Sequence, residues 1–193
     1  MDDIRIIRFT QSLRQRWRND GGWTREIARV GDEADWDWRL SLAEVEADGA
    51  FSTFAGIERQ IVLLSGAGMV FEFADGEQAE LTPLAPQLRF AGERALHSRL
   101  IDGATTDFNL MWQRDRFDAD LWLRPLVGAS TIFVEPGETW ALHVSAGSVD
   151  LHDADAELGQ GDSVILSAGE RRGSQRIDGT GSAIFIRLKP RVD

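Results

Sequence analysis

The sequence predicts an all-β protein, built as two small antiparallel barrels of jelly-roll type packed together. Three observations carry this expectation. Apolar and polar residues alternate along many short segments, Gly-bearing turns separate those segments at close intervals, and helical periodicity is scarce.

The first strong signal is Trp17-Arg18-Asn19-Asp20-Gly21-Gly22-Trp23-Thr24-Arg25-Glu26-Ile27. Asn19 to Gly22 suit a tight turn, because Gly lacks a Cβ and Asn or Asp bonds its own backbone. Beyond the turn, Thr24 and Glu26 point one way and Trp23, Arg25 and Ile27 the other. Trp36, Trp38, Leu40 and Leu42 then oppose Asp37, Arg39 and Ser41. Met69, Phe71 and Phe73 alternate with Val70 and Glu72, and Phe108, Leu110 and Trp112 oppose Asp107, Asn109, Met111 and Gln113. Val149 with Leu151, and Ile184 with Ile186 and Leu188, continue the pattern. Turns at Asp48-Gly49, Ser65-Gly66, Asp75-Gly76, Asp102-Gly103, Pro136-Gly137, Gly161-Asp162 and Asp178-Gly179 punctuate it. The helical candidates are short, Ser12 to Arg16 and Asp115 to Leu121.

The order strand, Gly turn, strand, turn, strand occurs twice, once over Phe51 to Glu93 and again over Pro136 to Leu166. The second copy is similar to a cupin, in which a Gly-Asp turn (here Gly161-Asp162) precedes a buried strand. Two such halves would form a bicupin spanning residues 1–193. Alternation lapses near Arg114 to Pro125, which divides an N-terminal lobe of about 1–115 from a C-terminal lobe of about 116–193.

A chain of 193 residues, 42% hydrophobic and 27% charged, is long enough to bury a core and ordinary for a soluble protein. No apolar run approaches the ~18 residues of a membrane span. The acidic start Met1-Asp2-Asp3-Ile4 lacks the apolar core of a signal peptide, so a cytoplasmic location is the expectation. The net charge of −11 repels nucleic acid, whose binding depends on neutralising phosphates. Arg14, Arg16 and Arg18, and Arg171, Arg172 and Arg176, form local basic clusters that read as solvated faces or ion-pair partners. A small anion remains an admissible ligand, because one well-placed Arg outweighs distant, screened acids. A homodimer is equally admissible.

Cys is absent, which removes thiolate metal sites and cysteine nucleophiles. A metal cupin carries a His-x-His pair with a Glu and a further His. Here the only imidazoles are His97, His143 and His152, and no two are spaced to share a strand face. Phe51-Ser52-Thr53-Phe54 and Trp140-Ala141-Leu142-His143 stand where such pairs belong, and His143 is the best placed of the three. Neither metal nor another cofactor is expected. No G-x-S-x-G elbow, P-loop or dinucleotide-binding glycine pattern is present.

One face of an antiparallel sheet commonly meets water, which would leave Thr24 with Glu26 and Asp107 with Asn109 solvated. In a cupin-like barrel the inward faces also line a cavity, where a few polar groups among aromatics fix a ligand. Trp17, Trp23, Phe54 and Trp112 are candidate apolar walls. Arg59 precedes the apolar run Ile61 to Leu64 and must pair or snorkel. It serves either as a salt-bridge partner or as a bidentate clamp on a ligand carboxylate.

Four ordered blocks carry a resemblance to a known family. Trp17 to Ile27 resembles the opening signature of the HutD/Ves family, W-K/R-N-G-G-G-x-T-x-E-I, departing from it at Asp20, where Gly is usual. Phe51-Ser52-x-Phe54-x-Gly56-Ile57-x-Arg59 resembles its second block, and Phe90-x-Gly92-Glu93 its third. Asp102-Gly103 followed by Asp107-Phe108-Asn109-Leu110-Met111 resembles its fourth. The resemblance implies a bicupin fold and, for the HutD branch, a protein that binds an intermediate such as formylglutamate and moderates histidine utilisation. The Ves branch is associated with cold or stress response. By position, the implied ligand-binding residues are Trp17, Asn19, Gly21, Gly22, Thr24, Glu26, Ser52, Arg59, Asp107, Asn109 and Met111. Three functions remain open: a non-catalytic binder of a small carboxylate metabolite, a metal-independent isomerase or hydrolase using Glu26 or Asp107 as acid or base, and a structural or stress-response protein with a filled barrel.

Overall fold

A computed structural model describes residues 3–32 and 34–191; Met1 and Asp2, part of the acidic start, lie outside them. The described chain contains sixteen strands and no α-helix. The first eight are β1 (Asp3–Ile7), β2 (Arg14–Arg16), β3 (Gly22–Gly31), β4 (Trp36–Val45), β5 (Gly49–Ala50), β6 (Ile57–Ser65), β7 (Met69–Phe73) and β8 (Gln78–Leu81). The rest are β9 (Gln87–Ala91), β10 (Leu96–Leu100), β11 (Thr105–Gln113), β12 (Phe117–Val134), β13 (Thr139–Leu151), β14 (Ala156–Gly159), β15 (Ser163–Ser167) and β16 (Gly173–Pro190). The fold is all-β and every strand pairing among the described residues is antiparallel. No helix of the described residues is long and apolar enough to cross a membrane.

The chain divides into two compact units, residues 13–115 and residues 1–12 with 116–193. Residues 3–12 therefore depart from the predicted N-terminal lobe. The cause is local: β1 pairs with β15, and the Gly161-Asp162 turn captures the chain that follows. Asp162 accepts hydrogen bonds from the Phe9 amide at 2.9 Å and from Arg8 at 2.7 Å. Neither helical candidate forms an α-helix, and most of each is strand. Arg14–Arg16 pairs with β3, and β12 runs for 18 residues against β16, because cross-strand partners outweigh weak local helical preference.

In the unit built from the chain ends, the sheet order is β1-β15-β13-β16-β12, with β14 on β13. Its core gathers Leu142, Val144, Val149, Leu151, Leu158, Val164 and Leu166, alternate residues whose partners face the other way. The long β13–β16 pair kinks between Val144 and Ala146. Gly147 there has φ +80°, and a Cβ on it would lie 1.9 Å from the Thr180 carbonyl oxygen, so only Gly permits the approach. His143 is buried, with Nδ1 2.9 Å from Ser163 Oγ. Burial pushes its imidazole down to about 4, against a smaller opposing pull from Asp162. An unfolded chain protonates this His near its ordinary 6.5. Stability is thus expected to fall as pH drops from about 6.5 toward 4, by at most about 3 kcal/mol from this group. Urea midpoints at pH 7 and 4.5 should therefore separate less in His143→Gln than in the wild type.

In the other unit, a six-stranded sheet of order β2-β3-β4-β11-β6-β9 accompanies a four-stranded sheet of order β5-β10-β7-β8. A core of Ile61, Leu63, Met69, Phe71, Phe73, Leu81, Phe90 and Leu96 joins the inward faces of the two sheets. The register of the larger sheet puts Gln15 opposite Thr24, Glu26 opposite Ser41, Ala43 opposite Asp107, Asn109 opposite Ile61, and Met111 opposite both Arg39 and Arg59. Residues directly opposite share a face. The inward face is consequently polar over β3, β4 and β11 and apolar toward the far ends of β6 and β9.

Candidate functional site

The polar stretch of that inward face opens on a cavity of about 590 Å³. Its floor is Arg59, Asn109, Ser41 and Arg39, its apolar walls are Trp17, Phe51, Phe54 and Met111, and its rim includes Arg18, Asn19 and Ser52.

The rim is built by the turn after β2. Asp20 takes the left-handed conformation, φ +56°, which Asn, Asp and Gly tolerate. This accounts for Gly at that position in the family signature and for Asp here. The Asp20 side chain is exposed and paired with Arg16, so its charge is directed out of the cavity. Asn19 Oδ1 accepts from the Gly21 amide at 3.1 Å, and the Trp17 amide donates to the Gly22 carbonyl at 3.0 Å. Gly22 has no room for a side chain, since a Cβ would lie 2.3 Å from the Glu44 carbonyl oxygen and 3.0 Å from the Trp17 ring. Trp17 is thereby held over the turn, and its Nε1 donates to Thr24 Oγ1 at 2.7 Å.

Arg59 is the centre of the floor. It is only 6% exposed, and its guanidinium lies 5.3 Å from the Phe51 ring, 5.8 Å from Phe54 and 5.2 Å from Phe90. It donates to Asn109 Oδ1 at 2.8 Å and to the Ser52 carbonyl at 3.4 Å, while its Nε has no partner among the described residues. No acidic side chain of the described residues forms an ion pair with it. The nearest counter-charge in this chain of contacts is Asp107, which accepts from Asn109 Nδ2 on the far side of the amide. Asp107 is fully buried and its Oδ2 is unpartnered. Burial pushes its carboxyl up to about 7, against the pull of Arg59 and of the Asn109 hydrogen bond. Burial likewise lowers Arg59 to about 10, which leaves it cationic at neutral pH.

Of the predicted site residues, Trp17, Asn19, Thr24, Ser52, Arg59, Asn109 and Met111 line the cavity. Gly21 and Gly22 shape the turn behind it, Asp107 lies beneath Asn109, and Glu26 is turned toward Arg39 at 3.0 Å and Arg29 at 3.6 Å. Among the predicted walls, Trp17 and Phe54 are in place. Trp23 instead lies under the guanidinium groups of Arg14 and Arg16, and Trp112 under that of Arg89, because alternation sends both to the opposite face. The solvated reading fails for Asp107 and Asn109, 0% and 4% exposed. Arg39, Ser41, Arg16 and Phe51 belong to the cavity without having been singled out. For Arg39 and Ser41 the signal was available, since they share a strand face.

Over residues 10–185 the chain matches the HutD family. An uncharacterised 21.2 kDa protein in the hutC 3' region of Pseudomonas putida is 39% identical over 125 residues, covering 63% of this chain. That match spans 64% of the relative's own length. The structure of HutD from Pseudomonas fluorescens SBW25, formate condition, superposes with a TM-score of 0.84 at 33% identity, covering 98% of this chain and 100% of that one. Bacterial pirin YhhW from Escherichia coli, in complex with nickel(II), superposes at 0.70 with 11% identity, covering 98% and 100%, a likeness of fold alone. A comparable metal does not fit the residues here. No three His, Asp or Glu side chains of the described residues gather as a ligand set, His97 and His152 are exposed, and His143 is buried against Ser163.

Proposed function

The chain belongs to the HutD family, and on that footing we propose that it is a non-catalytic binder of a small carboxylate metabolite, of the formylglutamate kind, that moderates histidine utilisation. One observation carries the reading. In a protein of net charge −11, a buried Arg lines a cavity, no acidic side chain of the described residues pairs with it, and its Nε has no partner among them. A guanidinium removed from water favours an anion, and its planar fork matches a carboxylate. Asn109, Ser41 and Thr24 supply neutral hydrogen-bonding groups for an amide or second polar end, and Trp17, Phe51 and Phe54 give apolar contact. The location of the Pseudomonas putida relative in the hutC 3' region supports the pathway.

Acid–base catalysis is less well served. Asp107 is screened from the cavity by Asn109, and Glu26 is held by two arginines. A filled barrel sits poorly with about 590 Å³ of space. The test is a thermal-shift screen of carboxylate metabolites, including N-formylglutamate and urocanate, with turnover followed in parallel. A ligand at a hundred times its Kd stabilises by about 2.7 kcal/mol, so a rise of roughly 5–10 °C is expected without turnover. Turnover would establish the catalytic reading instead, and a screen with no shift from any carboxylate would remove the proposal.

A further inference from the structure

Arg59 and Asp107 are both buried, yet they do not touch. One side-chain amide stands between them, with Asn109 Oδ1 facing the guanidinium and Nδ2 facing the carboxylate. The donor and acceptor ends of this amide fix the direction of the relay. A carboxylate behind Asn109 holds the amide so that its oxygen is offered to Arg59, a residue of the cavity lining.

The surroundings contain little else that could balance charge. On the inward face of the larger sheet the ionisable groups besides Asp107 are Arg59 on β6, Arg39 and Asp37 on β4, and Glu26 and Arg29 on β3, and Glu26 is already paired with Arg39 and Arg29. Directly across from Asp107 stand Ala43 on β4 and Leu63 on β6. The inward residues of the smaller sheet, among them Met69, Phe71, Leu96 and Ser98, carry no ionisable group. Arg16 and Arg18 stand at the cavity lining, Arg16 being committed to Glu46 and Asp20. Asp107 is thus the internal counter-ion of Arg59, and an anion entering the cavity competes with it for the same cation.

We propose, resting on the carboxylate-binding reading, that Asp107 is a positioning residue whose charge sets the affinity of the cavity for anions: the ligand binds to Arg59 together with a proton, taken from solvent by Asp107. With Asp107 neutral, the ligand carboxylate is the anionic partner of Arg59, which keeps its bonds to Asn109 and the Ser52 carbonyl. With Asp107 ionised, two buried anions share one guanidinium, and one must be expelled or protonated. The elevated affinity of Asp107 for its proton, due first to burial, puts the transition close to neutral pH. Affinity therefore falls as pH rises.

The experiment is calorimetric titration of the full chain with N-formylglutamate from pH 5.5 to 8.5, in buffers of differing ionisation enthalpy. Both ligand carboxylates stay ionised throughout this range. The expected result is a Kd that weakens at least tenfold from pH 6 to 8.5, with proton uptake between zero and one per ligand near pH 7. Asp107→Asn, nearly isosteric and uncharged, should bind with a flat pH profile and no proton uptake. His97→Gln removes an exposed imidazole on β10 and should keep the wild-type slope. A flat wild-type profile with binding intact would overturn the proton coupling and leave the carboxylate reading standing, as would an Asp107→Asn slope equal to wild type. A His97→Gln variant that lost the slope would overturn it too, by assigning the proton elsewhere. Absence of N-formylglutamate binding at every pH would defeat the carboxylate reading and the coupling with it.

Discussion

Arg59→Ala is expected to weaken N-formylglutamate binding by about 30-fold to several thousand-fold, roughly 2–5 kcal/mol for truncating one partner of a buried charge pair. Arg59→Lys keeps the charge but replaces the fork with a single ammonium inside a ring of three phenylalanines, so an intermediate loss is expected. Folding changes as well. Alanine leaves Asn109 Oδ1 without its donor, costing about 1–3 kcal/mol, and it removes the cation that draws the Asp107 carboxyl downward. Affinity is therefore compared at a temperature where circular dichroism finds all three proteins folded. Equal binding by wild type, Lys and Ala variants would make Arg59 a structural residue and move the binding site elsewhere.

Phe71→Ala should cause the largest loss of stability among substitutions around the cavity, about 3–5 kcal/mol for emptying a fully buried aromatic site. At this chain length that corresponds to a fall in Tm of roughly 6–20 °C. The functional consequence follows from packing. The Phe71 ring meets Phe51 edge-on at 5.4 Å and lies 6.1 Å from Phe90, and both of those rings flank the Arg59 guanidinium. Emptying the site loosens the walls that orient Arg59, so N-formylglutamate affinity measured below the transition should also fall. A Tm within 2 °C of wild type would contradict the assignment of Phe71 to the core of this unit.

Alternation along the chain made the strands legible, and it did so because side chains on a strand have a period of two. It grouped Trp38 with Leu40 and, on another strand, Phe108 with Leu110, and opposite them Arg39 with Ser41 and Asp107 with Asn109; the β4–β11 pairing then joins the two sets. It could not say which of the two faces meets water, since that depends on what the rest of the fold covers. The polar face proved to be inward, and this is why Asp107 and Asn109 are buried although their residue types argue for solvent. Trp23 and Trp112 suggest themselves as walls by size, yet alternation sets them on the face opposite Thr24 and Asn109, where the structure has them. Arg59 was legible from its place before an apolar run, but its partner was not. The amide of Asn109, 50 residues away, comes to it only through the β6–β11 pairing. Residues 3–12 were misassigned because β1 finds its partner in β15, a contact of long sequence separation that no local pattern announces.

Carboxylate binding at Arg59 is tested most directly by a crystal structure of the protein grown with N-formylglutamate. The expected result is ligand density in the cavity between Trp17, Phe51 and Met111, with one carboxylate within about 3 Å of the Arg59 guanidinium and a polar atom of the ligand in reach of Asn109. Density for the ligand at a site without Arg59, or a well-ordered cavity holding only water at saturating ligand, would contradict it.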